Sequence, residues 1–143
     1  GVQTCALPIF YDLHKSLGVV VPAVVILRLL YRLGYRPPPL PADLPALQQT
    51  AAHVSHWALY ALILAQPLVG WAATASYPAP VPVFGLFDLP SIWPVDRALS
   101  ERLFRLHGAM GLLLGGLALF HIAAALYHHF IRRDRILMRM LRG

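Results

Sequence analysis

The sequence predicts an all-α integral membrane protein built from three transmembrane helices. Three apolar segments, at residues 13–31, 51–75 and 103–131, each provide about the 20 residues that a helix needs to cross a bilayer. Hydrophobic residues make up 58% of the 143 residues, charged residues make up only 13%, and the mean hydropathy is +0.61. Ordinary soluble domains are far more polar, with about 25% of their residues charged. The basic residues also collect at the ends of the apolar segments, as they do in membrane proteins.

The net charge of +6, from 12 Lys and Arg against 6 Asp and Glu, would also suit a nucleic-acid-binding protein. The arginines lie beside the apolar segments, however, where they fix the topology and contact anionic lipid. The sequence has no basic stripe with interleaved aromatic residues, so we exclude nucleic acid as a partner and expect membrane lipid instead. The single cysteine, Cys5, allows neither an internal disulfide nor a cysteine-based metal site.

The first nine residues, GVQTCALPI, resemble the translated end of a sequencing adapter. We therefore expect residues 1–9 to be a non-native leader and residues 10–143 to form one membrane domain. On this interpretation, a natural N-terminal region is missing from the chain.

The first apolar segment, residues 13–31, opens on LHKSLG with His14. Pro22 lies inside it and is tolerated in a membrane bundle, where neighbouring groups satisfy the freed backbone. The proline-rich stretch RPPPLPADLP at 36–45 follows and predicts a short extended linker.

The second apolar segment, residues 51–75, carries His53 and His56 at its start. The next stretch, residues 76–100, contains five prolines and several aromatic residues. It is too interrupted to span a membrane, so we expect a loop at the membrane interface, where aromatic rings are favoured.

The third apolar segment, residues 103–131, carries His107 and His121, which are fourteen residues apart. At about 100° per residue the two side chains project within about 40° of each other, and they are separated by about 21 Å along the helix. Ionisable side chains are costly inside a membrane, so this pair predicts a functional site.

The arginines predict the orientation of the three segments. One cluster lies at the end of the first segment and just beyond it, another follows the third segment, and both should face the cytoplasm. The two clusters are Arg28, Arg32 and Arg36, and then Arg132, Arg133, Arg135, Arg139 and Arg142. The first and third segments then run inwards, the second runs outwards, and the C-terminus is cytoplasmic.

This orientation predicts which histidines share a depth. His14 and His107 both open inward-running segments, so they should lie at the same outer level and could bind the two axial positions of one haem iron. His121 lies near the cytoplasmic face and needs a partner there. His53 and His56 at the start of the second segment are one source, and a fourth helix is the other.

Several stretches together resemble the bacterial cytochrome b561 family, which includes the b-type cytochrome subunits of nickel-iron hydrogenases. They are LHKSLG, VILRLLYRL, AHVSHWALYALILAQPLVGW, LHGAMG, LFHIAAALYHHF and RDRILMRM. The resemblance covers the chain from about residue 10 to residue 142 and implies a four-helix membrane bundle, of which three helices are present here.

The resemblance also implies two haems b held by four histidines. His14 and His107 match the ligands of the outer haem. His121 matches one ligand of the inner haem, whose other ligand belongs to a first helix that this chain lacks. His53 and His56 match a segment of the family that we interpret as contacting haem propionates rather than iron. Arg28 either pairs with a propionate or snorkels to the cytoplasmic boundary.

These observations predict a di-haem cytochrome of the bacterial inner membrane that transfers electrons, received from quinol or from a partner redox subunit. It would be an electron carrier or a quinol-oxidising component. The same sequence would serve as the membrane anchor of a hydrogenase-like complex. Two haem-free alternatives are a proton-relay or transporter subunit, with His14, His107 and His121 as the titrating groups, and a structural scaffold.

Overall fold

A computed structural model of the chain describes residues 3–35, 44–134 and 138. Three long helices dominate it, together with two short strands. They are α1 (Gln3–Gly34), α2 (Ala46–Ser76), β1 (Pro82–Val83), β2 (Phe87–Asp88) and α3 (Arg97–Phe130). The predicted all-α class is confirmed.

All three helices are long and apolar enough to cross a membrane. Their apolar side chains point outwards as well as towards one another: Leu27 is 66% exposed, Leu112 is 81% exposed and Leu119 is 70% exposed. Contact with water would cost about 1.5–3 kcal/mol for each side chain of this size, relative to burial. Lipid removes this cost, so the exposed apolar surface is the membrane-facing surface of a transmembrane bundle.

The helices extend beyond the apolar segments recognised in the sequence. α1 begins at Gln3, inside the stretch expected to be a leader, and α3 begins at Arg97, before its apolar segment. The side chain of Asp96 accepts a hydrogen bond from the backbone N–H of Leu99 and caps the start of α3. Most of the proline-rich linker, residues 36–43, and the arginines of the C-terminal tail beyond Arg133 lie outside the described residues.

Helices α2 and α3 form the main packing interface and run antiparallel. Near one end, the buried hydroxyl of Ser100 donates a hydrogen bond of 2.8 Å to the carbonyl of Ala73. Near the other end, Arg132 Nη1 donates a hydrogen bond of 3.0 Å to Gln48 Oε1. Small residues let membrane helices approach closely, and Ala73 is fully buried at this interface.

The loop between α2 and α3 contains a small antiparallel hairpin, in which Val83 pairs with Phe87. Phe84 and Gly85 both have positive φ, as the tight turns of hairpins require. The hairpin is anchored to α1, because the buried Ser16 hydroxyl accepts a hydrogen bond from the backbone N–H of Phe84. The predicted loop is therefore a structured cap. We call this end of the bundle the hairpin end.

The opposite end, where α1 and α3 finish and α2 begins, is called the basic end. Arg32 lies in the last turn of α1, and Arg132 and Arg133 follow α3. Arg132 bonds to the first turns of α2, and Arg132 Nε lies 3.8 Å from a carboxylate oxygen of Asp134. Asp134 also lies 2.6 Å from Nδ1 of His128. Charged groups thus close this end of the α2–α3 interface.

Candidate functional site

Two histidines from different helices meet towards the hairpin end. The ring centroids of His14, on α1, and His107, on α3, are 6.0 Å apart, and the ring planes are at 89°. A metal lies about 2 Å from a ligating imidazole nitrogen, so two imidazoles on opposite sides of one metal have centroids about 6 Å apart. The structure therefore brings together, at a spacing suited to shared ligation, the two residues whose depths were predicted to match. We call them the first pair.

No group of three or more His, Cys, Asp or Glu side chains in the described parts of the chain could hold a bare metal ion. A pair of imidazoles suits a different kind of group, one that brings its own equatorial ligands. Haem is such a group, because the porphyrin binds iron through four nitrogens and leaves two axial positions for the protein. The donor set of the first pair thus fits a haem.

His107 is also tied to α2 by two hydrogen bonds with Gln66. His107 Nδ1 lies 3.0 Å from the backbone carbonyl oxygen of Gln66. In return, Gln66 Nε2 donates a hydrogen bond of 2.8 Å to the backbone carbonyl of His107. Gln66 was not among the predicted site residues. The signal that could have found it is an uncharged polar side chain in the middle of an otherwise apolar membrane segment.

An open cavity of about 410 Å³ adjoins the first pair on its hairpin side. Tyr11 and Phe104 line it, and each lies three residues before a histidine of the pair on the same helix. Arg97 and Glu101 give the cavity charge of both signs, and the Arg97 guanidinium lies 5.8 Å from the ring centroid of Tyr77. His14 and His107 themselves are not among the residues that line this cavity.

A second pair of histidines lies towards the basic end. The ring centroids of His56, on α2, and His121, on α3, are 5.0 Å apart, with the planes at 67°. Of the two histidines at the start of the second apolar segment, His56 is the one whose ring contacts His121. His53, the predicted site residue on this helix, is exposed one turn earlier, and among the described residues it makes no ring contact with His121.

The second pair is set differently from the first. Its centroid separation is about 1 Å shorter than the spacing expected for two imidazoles sharing one metal. Within the described residues, neither His56 nor His121 makes a side-chain hydrogen bond. The two rings pack edge to face, and no hydrogen bond from the part of the chain that the structure describes fixes their orientation.

Arg28 lies on α1 beside this second pair rather than the first. Its side chain is exposed, and it lies close enough to His56 for a cation there to interact with that ring. A cation in this position can neutralise an acidic group bound near His56.

Comparison with known proteins decides the family. A family model described as prokaryotic cytochrome b561 matches residues 3–143. The chain belongs to this family. The expected relationship is confirmed, and the chain is a transmembrane b-type cytochrome with a role in electron transport. The match starts within residues 1–9, whose origin as a leader stays a prediction.

Curated relatives of this cytochrome b561 chain cover most of its length. It is 35% identical over 131 residues to cytochrome b561 homolog 2 of Escherichia coli, which is 91% of this chain and 69% of the relative. It is 31% identical over 133 residues to the probable superoxide oxidase CybB of Yersinia pestis, which is 90% of this chain and 73% of the relative. Cytochrome b561 homolog 1 of Escherichia coli is 30% identical over 132 residues.

Proposed function

We propose that this cytochrome passes single electrons across the bacterial inner membrane by way of two haems b, the outer one held between His14 and His107. The observation that carries the proposal is the 6.0 Å separation of these two rings, contributed by separate membrane helices. Haem supplies reversible one-electron chemistry when it is bound. Two imidazole ligands leave no open position on the iron, which favours electron transfer over oxygen chemistry.

The chain contributes ligation, orientation and a low-dielectric setting. The backbone carbonyl of Gln66 holds the ring of His107, and the apolar membrane helices supply the low-dielectric setting. Arg97 in the adjoining cavity can balance the charge of a propionate.

For the inner haem we propose His121 as one ligand and a histidine on a further helix, outside these 143 residues, as the other. The 5.0 Å separation supports this choice, because it is too short for His56 and His121 to bind opposite faces of one haem. His56, His53 and Arg28 would then be the residues that contact the propionates of that haem. About 21 Å along α3 separates the two sites.

We propose that the hairpin end faces outwards and the basic end faces the cytoplasm. Arg32, Arg132 and Arg133 support this orientation, because positively charged residues accumulate on the cytoplasmic side of membrane proteins. The C-terminus is cytoplasmic in this arrangement.

Haem content tests the proposal. The purified full-length protein should contain two haems b, measured as pyridine haemochrome, and should show a split reduced-minus-oxidised absorption band. His107→Ala should lose one haem, whereas the control His129→Ala, at the C-terminal end of α3, should keep both. A haem-free wild-type protein whose transport or proton movement depends on His107 would contradict the proposal and favour the proton-relay alternative.

The electron donor is quinol or a partner redox subunit in this proposal. A membrane anchor of a hydrogenase-like complex would co-purify with a soluble redox subunit after mild solubilisation. A free-standing carrier would purify alone and would be reduced directly by a quinol analogue.

Superoxide is a second candidate donor, suggested by the name of the Yersinia pestis relative. The cavity beside the first pair favours it, because Arg97 offers a cation to a small anion approaching from outside. Superoxide would give one electron to the oxidised protein and leave as dioxygen. Arg97→Gln should then slow reduction of the protein by superoxide at low ionic strength, whereas an unchanged rate would count against this donor.

A further inference from the structure

We propose that Gln66 and Gly70 of α2 are positioning residues for His107: they fix its tautomer, orient its Nε2 nitrogen for ligation and lower the reduction potential of the outer haem. The inference rests on the proposed function, since it treats His107 as an iron ligand. Gln66 and Gly70 are four residues apart on one helix, so they lie on the same face, one turn above the other.

The two hydrogen bonds between Gln66 and His107 form a reciprocal clasp between α2 and α3. The imidazole Nδ1 of His107 bonds to the backbone carbonyl of Gln66, and the amide of Gln66 bonds to the backbone carbonyl of His107. In each of the two bonds, the side chain of one residue contacts the backbone carbonyl of the other. The ring of His107 is therefore held relative to α2 as well as relative to its own helix.

Gly70 provides the space in which this clasp can form. A Cβ atom at Gly70 would lie 2.9 Å from Cε1 of His107 and 3.0 Å from Nδ1. Such distances are below van der Waals contact, so any side chain at this position would push the ring away from the Gln66 carbonyl. Gly111 plays the matching role on α3, because a Cβ there would lie 3.0 Å from Nε2 of Gln66.

The clasp determines which nitrogen of His107 can bind iron. A backbone carbonyl only accepts hydrogen bonds, so Nδ1 must carry the proton and donate it. Nε2 is then left unprotonated, with its lone pair available to a metal. A donated Nδ1–H bond also makes the imidazole more basic, which favours ferric over ferrous iron and lowers the reduction potential.

Close packing of α2 against α3 would also explain a glycine at position 70, so the test needs a measurement that packing alone would not move. The reduction potential of the outer haem is such a measurement. We expect Gly70→Ala to keep both haems and to change the ratio of ferric to ferrous affinity at the outer site by about tenfold. For a one-electron couple this is an upward shift of about 59 mV.

The matched control is Gly116→Ala. Gly116 lies nine residues after His107 and projects to the opposite side of α3, and a Cβ there would meet no atom of the described residues within 4 Å. In Gly116→Ala the reduction potentials of both haems should equal those of the wild type. In Gly70→Ala the reduction potential of the inner haem should also stay unchanged. An outer potential in Gly70→Ala that equals the control would overturn the proposal.

Gln66→Leu provides a second variant in case Gly70→Ala fails to bind the outer haem. It removes the amide donor but keeps the backbone carbonyl and the apolar volume, so it should raise the outer potential in the same direction by less. An unchanged or lowered outer potential in this variant would count against the clasp.

Measuring the tautomer of His107 tests the hydrogen bond to Gln66 separately from haem binding. In protein prepared without haem, ¹⁵N spectra of labelled histidine should assign a protonated Nδ1 to His107, and Gly70→Ala should reduce that tautomer. Protonation at Nε2 in the wild type would overturn the clasp whatever the haem content. A protonated Nδ1 in a protein that never binds haem would support the clasp and contradict only the haem assignment.

Discussion

The two histidine pairs differ in how completely the three helices prepare them. In the first pair the rings are 6.0 Å apart, and His107 is held by a backbone carbonyl of α2. In the second pair the rings are 5.0 Å apart, and within the described residues no hydrogen bond fixes either ring. A metal-ligating histidine usually has a partner for its second nitrogen. Within the described residues His107 is the one ring of these four with such a partner. The first pair is the one that we propose as a ligand set, whereas in our proposal His121 takes its partner from another element.

Substituting the histidines of the second pair should have the largest effect, because it changes the number of haems that the protein binds. His121→Ala should abolish the inner haem and lower the haem content from two to one, because it removes an iron ligand. His56→Ala should keep both haems, since we assign His56 to the surroundings of the haem. Loss of the inner haem in His56→Ala, measured as pyridine haemochrome, would show that the second pair is a ligand set within this chain.

Weakening the bond between the hairpin and α1 should have a smaller effect, a partial loss of stability. The buried hydroxyl of Ser16 accepts from the backbone N–H of Phe84 and donates to the backbone carbonyl of Asp12. Ser16→Ala leaves the Phe84 N–H without this acceptor, which should cost about 1–3 kcal/mol. Thermal unfolding in detergent measures the loss, and faster proteolysis within the hairpin would locate it. Equal stability of the variant and the wild type would mean that the hairpin is not anchored through Ser16.

Removing the hydrogen bond between α2 and Arg132 at the basic end should change the stability least. Gln48→Ala removes the bond from Arg132 Nη1, but Arg132 also lies near the carboxylate of Asp134. Interactions of this kind near a surface contribute about 0–1 kcal/mol, so the unfolding temperature should change little. A loss as large as that of Ser16→Ala would mean that the basic end is held as tightly as the hairpin end.

The helices and the first pair could be predicted from the sequence because each depends on a strong, local signal. Apolar length identifies a membrane helix, and the arginines at its ends give its direction. Once α1 and α3 run the same way, His14 and His107 have to lie at one depth. Depth alone made their meeting predictable, although it left the ligation itself to experiment.

The second pair and the clasp depend on helix rotation, which the sequence does not encode as strongly. His53 and His56 are three residues apart and differ by only about 60° in direction, so either could have faced His121. In the sequence Gln66 shows only as one polar residue within an apolar segment, and its partner can be named only when α3 lies beside it. The hairpin escaped prediction for a similar reason, because its two-residue strands are too short to show an alternating pattern and its turn places Phe84, a non-glycine residue, at positive φ.

The central claim is that His14 and His107 share one iron, and low-spin ferric electron paramagnetic resonance tests it most directly. The wild type should give two signals, one for each haem. His14→Ala and His107→Ala should each remove the same signal and leave the other unchanged. Loss of different signals in the two variants, or of neither, would contradict the account.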